Sequence, residues 1–152
     1  IRDKYQKIVN RFDDVENILE FLKKQKVKTA VASRTTEIKG AHELMDLLGW
    51  DKLIDYREIF PSEKTAHFAN LKKATGIEYK DMLFFDDEMR NSVDVSPLGV
   101  TCILVEGGMN TNVFIAGLKK WATNNNIHIE FQPEMNKPLE AITHPFFASN
   151  EE

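Results

Sequence analysis

The sequence predicts an α/β fold, a doubly wound parallel sheet with helices on both faces. Two observations carry that prediction. Short apolar runs of strand length alternate with helical patterns, the order that right-handed β-α-β crossovers require. The polar clusters Ser33-Arg34 and Asp86-Asp87 fall directly after apolar runs, and open α/β sheets bind ligands beyond the carboxyl ends of their strands.

Taken in order, residues 1–12 are weakly patterned. Asp13 or Asp14 caps a helix reaching Gln25, with Val15, Ile18, Leu19 and Leu22 on one face. Lys23, Lys24 and Lys26 crowd its end, where cations complement the helix dipole. Lys28 to Ala32 reads as a buried strand leading into Ser33-Arg34-Thr35-Thr36. A helix follows over Glu37–Leu48, closed by Gly49 as a left-handed cap. Asp55–Phe60 is a strand stopped by Pro61, and Ser62 caps a helix over Glu63–Ala74 that Gly76 closes. Met82–Phe85 is the most apolar strand and runs into Asp86-Asp87-Glu88. A short helix, Glu88 to Val95, turns at Pro97 and Gly99 into the strand Val100–Val105. Asn110 or Thr111 begins a last helix through Trp121.

The final segment differs. Asn124-Asn125-Asn126 reads as a linker, and Ile127 to Phe131 alternates like a strand. Pro133, Pro138 and Pro145 break any further element, while Ile142, Phe146 and Phe147 are apolar anchors on a polar tail. Residues 1–123 therefore form the core domain. Residues 124–152 are a tail that packs on its own domain or is partly disordered, or that docks a protein partner through residues 127–147.

A chain of 152 residues with 42% hydrophobic residues is one ordinary domain. Its net charge of -4 gives no general attraction to nucleic acid or to an anionic membrane. The one cysteine, Cys102, sits in an apolar run and reads as a small buried hydrophobe. With no disulfide framework, a reducing, cytoplasmic compartment is expected. No apolar stretch approaches the length of a membrane span.

Three features carry chemistry. Adjacent carboxylates Asp86 and Asp87 at a strand mouth repel each other, and hard oxygen ligands there suit magnesium. Alone, they read equally well as acids at a helix N-terminus. The hydroxyl of Ser33 and the guanidinium of Arg34 can hold a phosphate oxygen, or Ser33 can be a simple cap. Lys64 opens a helix, where a lysine opposes the dipole unless an anion lies nearby; the plain alternative is a solvated surface lysine.

Hydroxyl first, lysine second and acidic pair third is a more specific order than any one part. It resembles the second to fourth motifs of the haloacid-dehalogenase superfamily, and most closely its eukaryotic magnesium-dependent phosphatase family. Ala32-Ser33-Arg34-Thr35-Thr36-Glu37-Ile38 is similar to that family's second motif. The stretch from Arg57 through Pro61-Ser62-Glu63-Lys64 to Phe68 is similar to its third, and Phe84-Phe85-Asp86-Asp87-Glu88-Met89-Arg90-Asn91 to its fourth. Leu98 to Ile103 and Gly108-Met109-Asn110 continue the likeness, which covers about residues 1–122.

The resemblance implies a magnesium-dependent phosphomonoesterase acting through an aspartyl-phosphate. Ser33 and Arg34 would bind the phosphoryl group, Lys64 would hold nucleophile and phosphate charges together, and Asp86 would ligate Mg2+ with Asp87 beside it. Arg90 and Asn91 would be supports at best, and His42 and His67 structural or surface residues. No cap-sized insertion separates the motifs, so an open site would suit a small phosphorylated substrate or a phosphoprotein, phosphotyrosine-like groups included.

In the resembled family the nucleophile lies on Asp-x-Asp-x-Thr at the end of a central first strand. That pattern is absent from the sequence. The chain opens Ile1-Arg2-Asp3-Lys4 with no initiator Met and no signal or transit pattern, so the nucleophile strand is expected upstream, and this chain alone is expected to be inactive. Without that strand its two neighbours would keep unpaired inner edges; Ile127–Phe131 could fill the gap but has no Asp-x-Asp. The alternative function is a catalytically inactive phosphatase-like subunit of a larger assembly. A receiver domain is disfavoured, because there the lysine follows the acidic pair.

Overall fold

The computed structural model describes residues 14–128. The readings of residues 1–13 and of the tail from Ile129 onward, its docking role included, lie outside the described residues. The elements run α1 (residues 14–24), β1 (Ala30–Ser33), α2 (Ile38–Leu47), β2 (Tyr56–Ile59), α3 (Lys64–Thr75), β3 (Leu83–Asp86), α4 (Met89–Val95), β4 (Thr101–Leu104) and α5 (Thr111–Asn124). Every strand and helix expected in this stretch is present, and the strands are parallel.

The sheet differs from a continuous doubly wound one. β1 pairs with β2 and β3 pairs with β4, as two separate two-stranded sheets. The hydrogen bonds show which edges are used. Thr29 O accepts from Tyr56 N–H and Ser33 O from Phe60 N–H, while Met82 O accepts from Thr101 N–H and Asp86 O from Val105 N–H. Backbone groups alternate sides along a strand, so Ala30 and Ala32 turn their polar groups away from β2, and Leu83 and Phe85 turn theirs away from β4. Among the described residues no ladder joins β1 to β3, as expected if the strand between them is not in this stretch.

Helices hold the two pairs together instead. Side chains alternate faces along β3: Leu83 and Phe85 pack with Ile18 and Leu22 of α1 and with Phe114, Leu118 and Trp121 of α5, while Phe84 packs with Phe68 and Leu71 of α3 and with Val95 of α4. β1 does the same. Ala30 joins the α3 cluster, and Val31 meets Val15 and Leu19 of α1 with Met45 of α2. Thus α1 on one face and α3 on the other each touch both strand pairs.

Local endings follow the sequence with two exceptions. Gly49 (φ 75°) and Gly76 (φ 73°) take the left-handed conformation expected of them. Asn110 caps α5, its side chain accepting from Val113 N–H at 2.9 Å. Ser62, however, does not cap α3. Glu63 is the residue flanking the first turn and no side chain caps it; Ser62 N–H turns back to Phe60 O at 3.0 Å. The second exception is the asparagine run, where α5 continues through Asn124 and turns only at Asn125. No helix among the described residues is long and apolar enough to cross a membrane.

Cys102 is half-buried rather than fully buried, and packs as a small hydrophobe against the cluster of Phe84 and Phe68. Burial pushes its thiol up to about 12; Lys120 nearby counters this and Asp86 adds to it. The thiolate, the reactive form, is therefore scarce at pH 8. Reaction with a disulfide reagent at pH 8 is expected to be slow in the native protein and stoichiometric in urea, read by absorbance.

Two glycines make an opposed test of the packing. A Cβ on Gly117 of α5 would stand 2.5 Å from the Phe85 ring and 3.2 Å from Ile103. Gly117→Ala is expected to destabilise by about 1–3 kcal/mol through overpacking. Gly40 in α2 has nothing within 4 Å, and Gly40→Ala is expected to stabilise by roughly 0.5–1 kcal/mol from helix propensity alone. Urea unfolding midpoints measure both.

Candidate active site

The polar clusters meet where β1 and β3 end. Asp86 is the last residue of β3 and its side chain has no exposed surface; neither has that of Lys64. The Lys64 ammonium lies 3.4 Å from Asp86 Oδ2 and donates to Ala32 O, on the edge of β1 that faces away from β2. Its charge also sits 5.5 Å from the centre of the Phe84 ring. The solvated-lysine alternative is therefore overturned. The anion that offsets the dipole penalty at the first residue of α3 is the Asp86 carboxylate itself.

Both oxygens of Asp86 are engaged. Oδ1 accepts from Glu88 N–H at 2.9 Å, which fixes the turn into α4, and Oδ2 accepts from Asn91 Nδ2 at 2.8 Å. Asn91 is fully buried. Its Oδ1 accepts from Arg34 Nη1 at 3.1 Å. A chain of contacts thus runs from Arg34 through Asn91 and Asp86 to Lys64. Arg34 is half-buried, Asp87 is exposed next to Asp86, and Arg90 is exposed, 3.7 Å from Glu88.

Ser33 ends β1 beside this chain. Its hydroxyl accepts from Thr35 N–H at 3.3 Å, and Thr35 Oγ1 accepts from Glu37 N–H at 3.0 Å, so two hydroxyls shape the turn into α2. The Ser33 carbonyl is held from below by His67. That ring is buried, stacks on Phe60 at 4.0 Å, and places Nε2 2.9 Å from Ser33 O and 3.0 Å from Phe60 O. Carbonyl oxygens only accept, so this nitrogen donates, and it ties the ends of β1 and β2 together. The structural reading of His67 holds. His42 contacts Arg57 at 3.0 Å, away from this cluster.

Ser33, Arg34, Lys64 and Asp86 are therefore brought to one end of the strands, with Asp87 at its exposed rim. Asn91 is the residue that sequence reasoning undervalued. Its signal lay in the spacing: five residues after a strand-ending carboxylate, at the start of a helix, a side chain can reach back over that strand end. The connections framing the site are short, residues 34–37 and 87–88.

A cation could use Asp86 and Asp87. Each carboxylate oxygen can accept twice, so Asp86 Oδ1 keeps a lone pair beyond its bond to Glu88 N–H. Among the described residues no group of three or more His, Cys, Asp or Glu is placed to hold a metal. Paired carboxylates are hard oxygen donors of the kind that suits magnesium, which leaves its other positions to water and phosphate oxygens.

The buried pair has a measurable consequence. Removing one partner of a buried ion pair leaves an uncompensated charge and costs about 3–5 kcal/mol. Lys64→Met is expected to lower stability by that amount, and Lys64→Met with Asp86→Leu to recover most of it; urea unfolding of the single and double variants reads the difference.

Residues 1–124 match the acid phosphatase family. Magnesium-dependent phosphatase 1 of Homo sapiens is 43% identical over 122 residues, covering 80% of this chain and 69% of the human protein. A HAD-like hydrolase superfamily protein of Schizosaccharomyces pombe is 36% identical over 108 residues, 65% of this chain and 62% of the yeast protein. With those matches and a parallel α/β architecture carrying its polar groups at the strand ends, the chain belongs to the acid phosphatase family, in the magnesium-dependent-phosphatase-like branch of the haloacid-dehalogenase superfamily.

Proposed function

We propose that this chain is the larger part of a magnesium-dependent phosphomonoesterase. The observation that carries the reading is the buried Lys64–Asp86 pair at the ends of β1 and β3. A stable scaffold has no need of a desolvated ion pair there, whereas phosphoryl transfer needs opposite charges fixed where phosphate charge must be neutralised.

In this reading Ser33 Oγ and the Arg34 guanidinium bind the phosphoryl oxygens. Arg34 gives one N–H to Asn91 and keeps others for a bidentate contact. Lys64, immobilised by Ala32 O and Asp86, supplies positive charge that costs no reorganisation during reaction. Asp86, with Asp87 at the rim, would hold Mg2+, which when bound neutralises phosphate charge. The attacking group belongs to an Asp-x-Asp-x-Thr segment, absent from these 152 residues and expected on a strand beside β1 and β3. Its first carboxylate would attack phosphorus and displace the substrate alcohol, which takes a proton from the second Asp, and water would then hydrolyse the aspartyl-phosphate to release inorganic phosphate. With no cap-sized insertion between the motifs, the reading favours accessible phosphates, whether on a small molecule or on a protein side chain.

The test uses the intact protein with p-nitrophenyl phosphate. Turnover is expected with magnesium, to disappear with a chelator, and to fall at least about a hundredfold in Asp86→Ala. Turnover of Asp86→Ala at the unsubstituted rate would overturn the metal assignment. An intact protein without any turnover would favour the inactive-subunit reading.

A further inference from the structure

Asn91 links two groups that the proposed reaction keeps separate, the arginine that meets the substrate and the carboxylate that faces the metal. Its amide is buried, and its neighbours fix which way it points. Arg34 only donates, so the oxygen must face it at 3.1 Å. Asp86 only accepts, so the nitrogen must face it at 2.8 Å. A primary amide is uncharged and turns an acceptor to the guanidinium and a donor to the carboxylate from two separate atoms. A carboxylate in its place would face Asp86 with like charge and neutralise Arg34. An aliphatic residue would leave Arg34 unanchored and Asp86 short of a donor.

We infer that Asn91 is a positioning residue: its amide holds the Arg34 guanidinium at a fixed place relative to Asp86, leaving the arginine's remaining N–H groups and its full charge for a phosphate. The inference rests on the proposed phosphate-binding role of Arg34. Helix α4 supports it, because the Glu88 N–H bond to Asp86 Oδ1 sets the start of the turn from which Asn91 reaches back. Coupling of Arg34 to Asp86 is then direct, through one side chain and two hydrogen bonds.

Affinity for inorganic phosphate, measured by titration calorimetry on the intact protein, tests this without relying on turnover. The variants are Asn91→Asp, Asn91→Ala, Arg34→Ala and each Asn91 change combined with Arg34→Ala. Arg34→Ala is expected to weaken phosphate binding about tenfold or more, the scale of a hydrogen bond to a charged group. Asn91→Asp, nearly the same shape, is expected to weaken it to a similar degree, and Asn91→Ala by roughly threefold to tenfold. With Arg34 already replaced, neither Asn91 change should weaken binding further, because groups acting through one another are not additive. Phosphate binding unchanged in Asn91→Asp overturns the positioning role while leaving the reading of Arg34 intact. Equal losses with and without Arg34 overturn it too, as does failure of both Asn91 variants to fold, which would make Asn91 a support of the core. Unchanged binding in Arg34→Ala instead removes the phosphate-binding reading on which the inference stands.

Discussion

The arrangement depends on placing one ammonium and one carboxylate together without water. Lys64 and Asp86 come from the start of α3 and the end of β3, and neither side chain is exposed. Each charge would be costly to bury alone. Together, with Ala32 O, Glu88 N–H and the Asn91 amide, they become a satisfied network. The same ammonium reaches the carbonyl of one strand pair and the carboxylate of the other, so it is also a polar tie between the two strand pairs, beside the one from Arg34 to Asn91.

The apolar ties lie above and below it. α1 contributes Ile18 and Leu22 to the cluster under β3, and Val15 and Leu19 to the one under β1. α3 places Phe68 and Leu71 against both Ala30 and Phe84. Phe68 and Phe84 meet edge to face, with centroids 4.8 Å apart, directly below the charge of Lys64. Close packing of this kind makes a site rigid, because side chains locked by their neighbours cannot relax around a substrate.

Much of this was legible in the sequence because periodicity and punctuation agree there. Val15, Ile18, Leu19 and Leu22 repeat at helical spacing, and all are buried. Gly49 and Gly76 stand where helices must stop. The order of Ser33, Lys64 and Asp86 survives as a cluster in space. What remained hidden depended on tertiary contact. The capping reading of Ser62 was locally reasonable, but Lys64 is drawn inward, and α3 begins with it rather than one residue earlier. Asn91 read as a support at best, since nothing local says that an amide will find a guanidinium from a loop 57 positions away. The asparagine run resembles a linker by composition, yet its first member still belongs to α5 because Trp121 and Ala122 are held in the core.

The use of an amide at position 91 also gives this site a chemical lifetime. Asparagine followed by a small residue, here Ser92, is a place where the backbone nitrogen can attack the side-chain carbonyl, expel ammonia and close a succinimide, which water then opens to aspartate or isoaspartate. That closure needs a backbone free to bend. In this protein Asn91 lies inside α4, with both amide atoms already bonded, so the folded state guards its own carboxamide. Each excursion that frays α4 exposes it. Ageing at high temperature would therefore turn a neutral bridge into a second negative charge between Asp86 and Arg34.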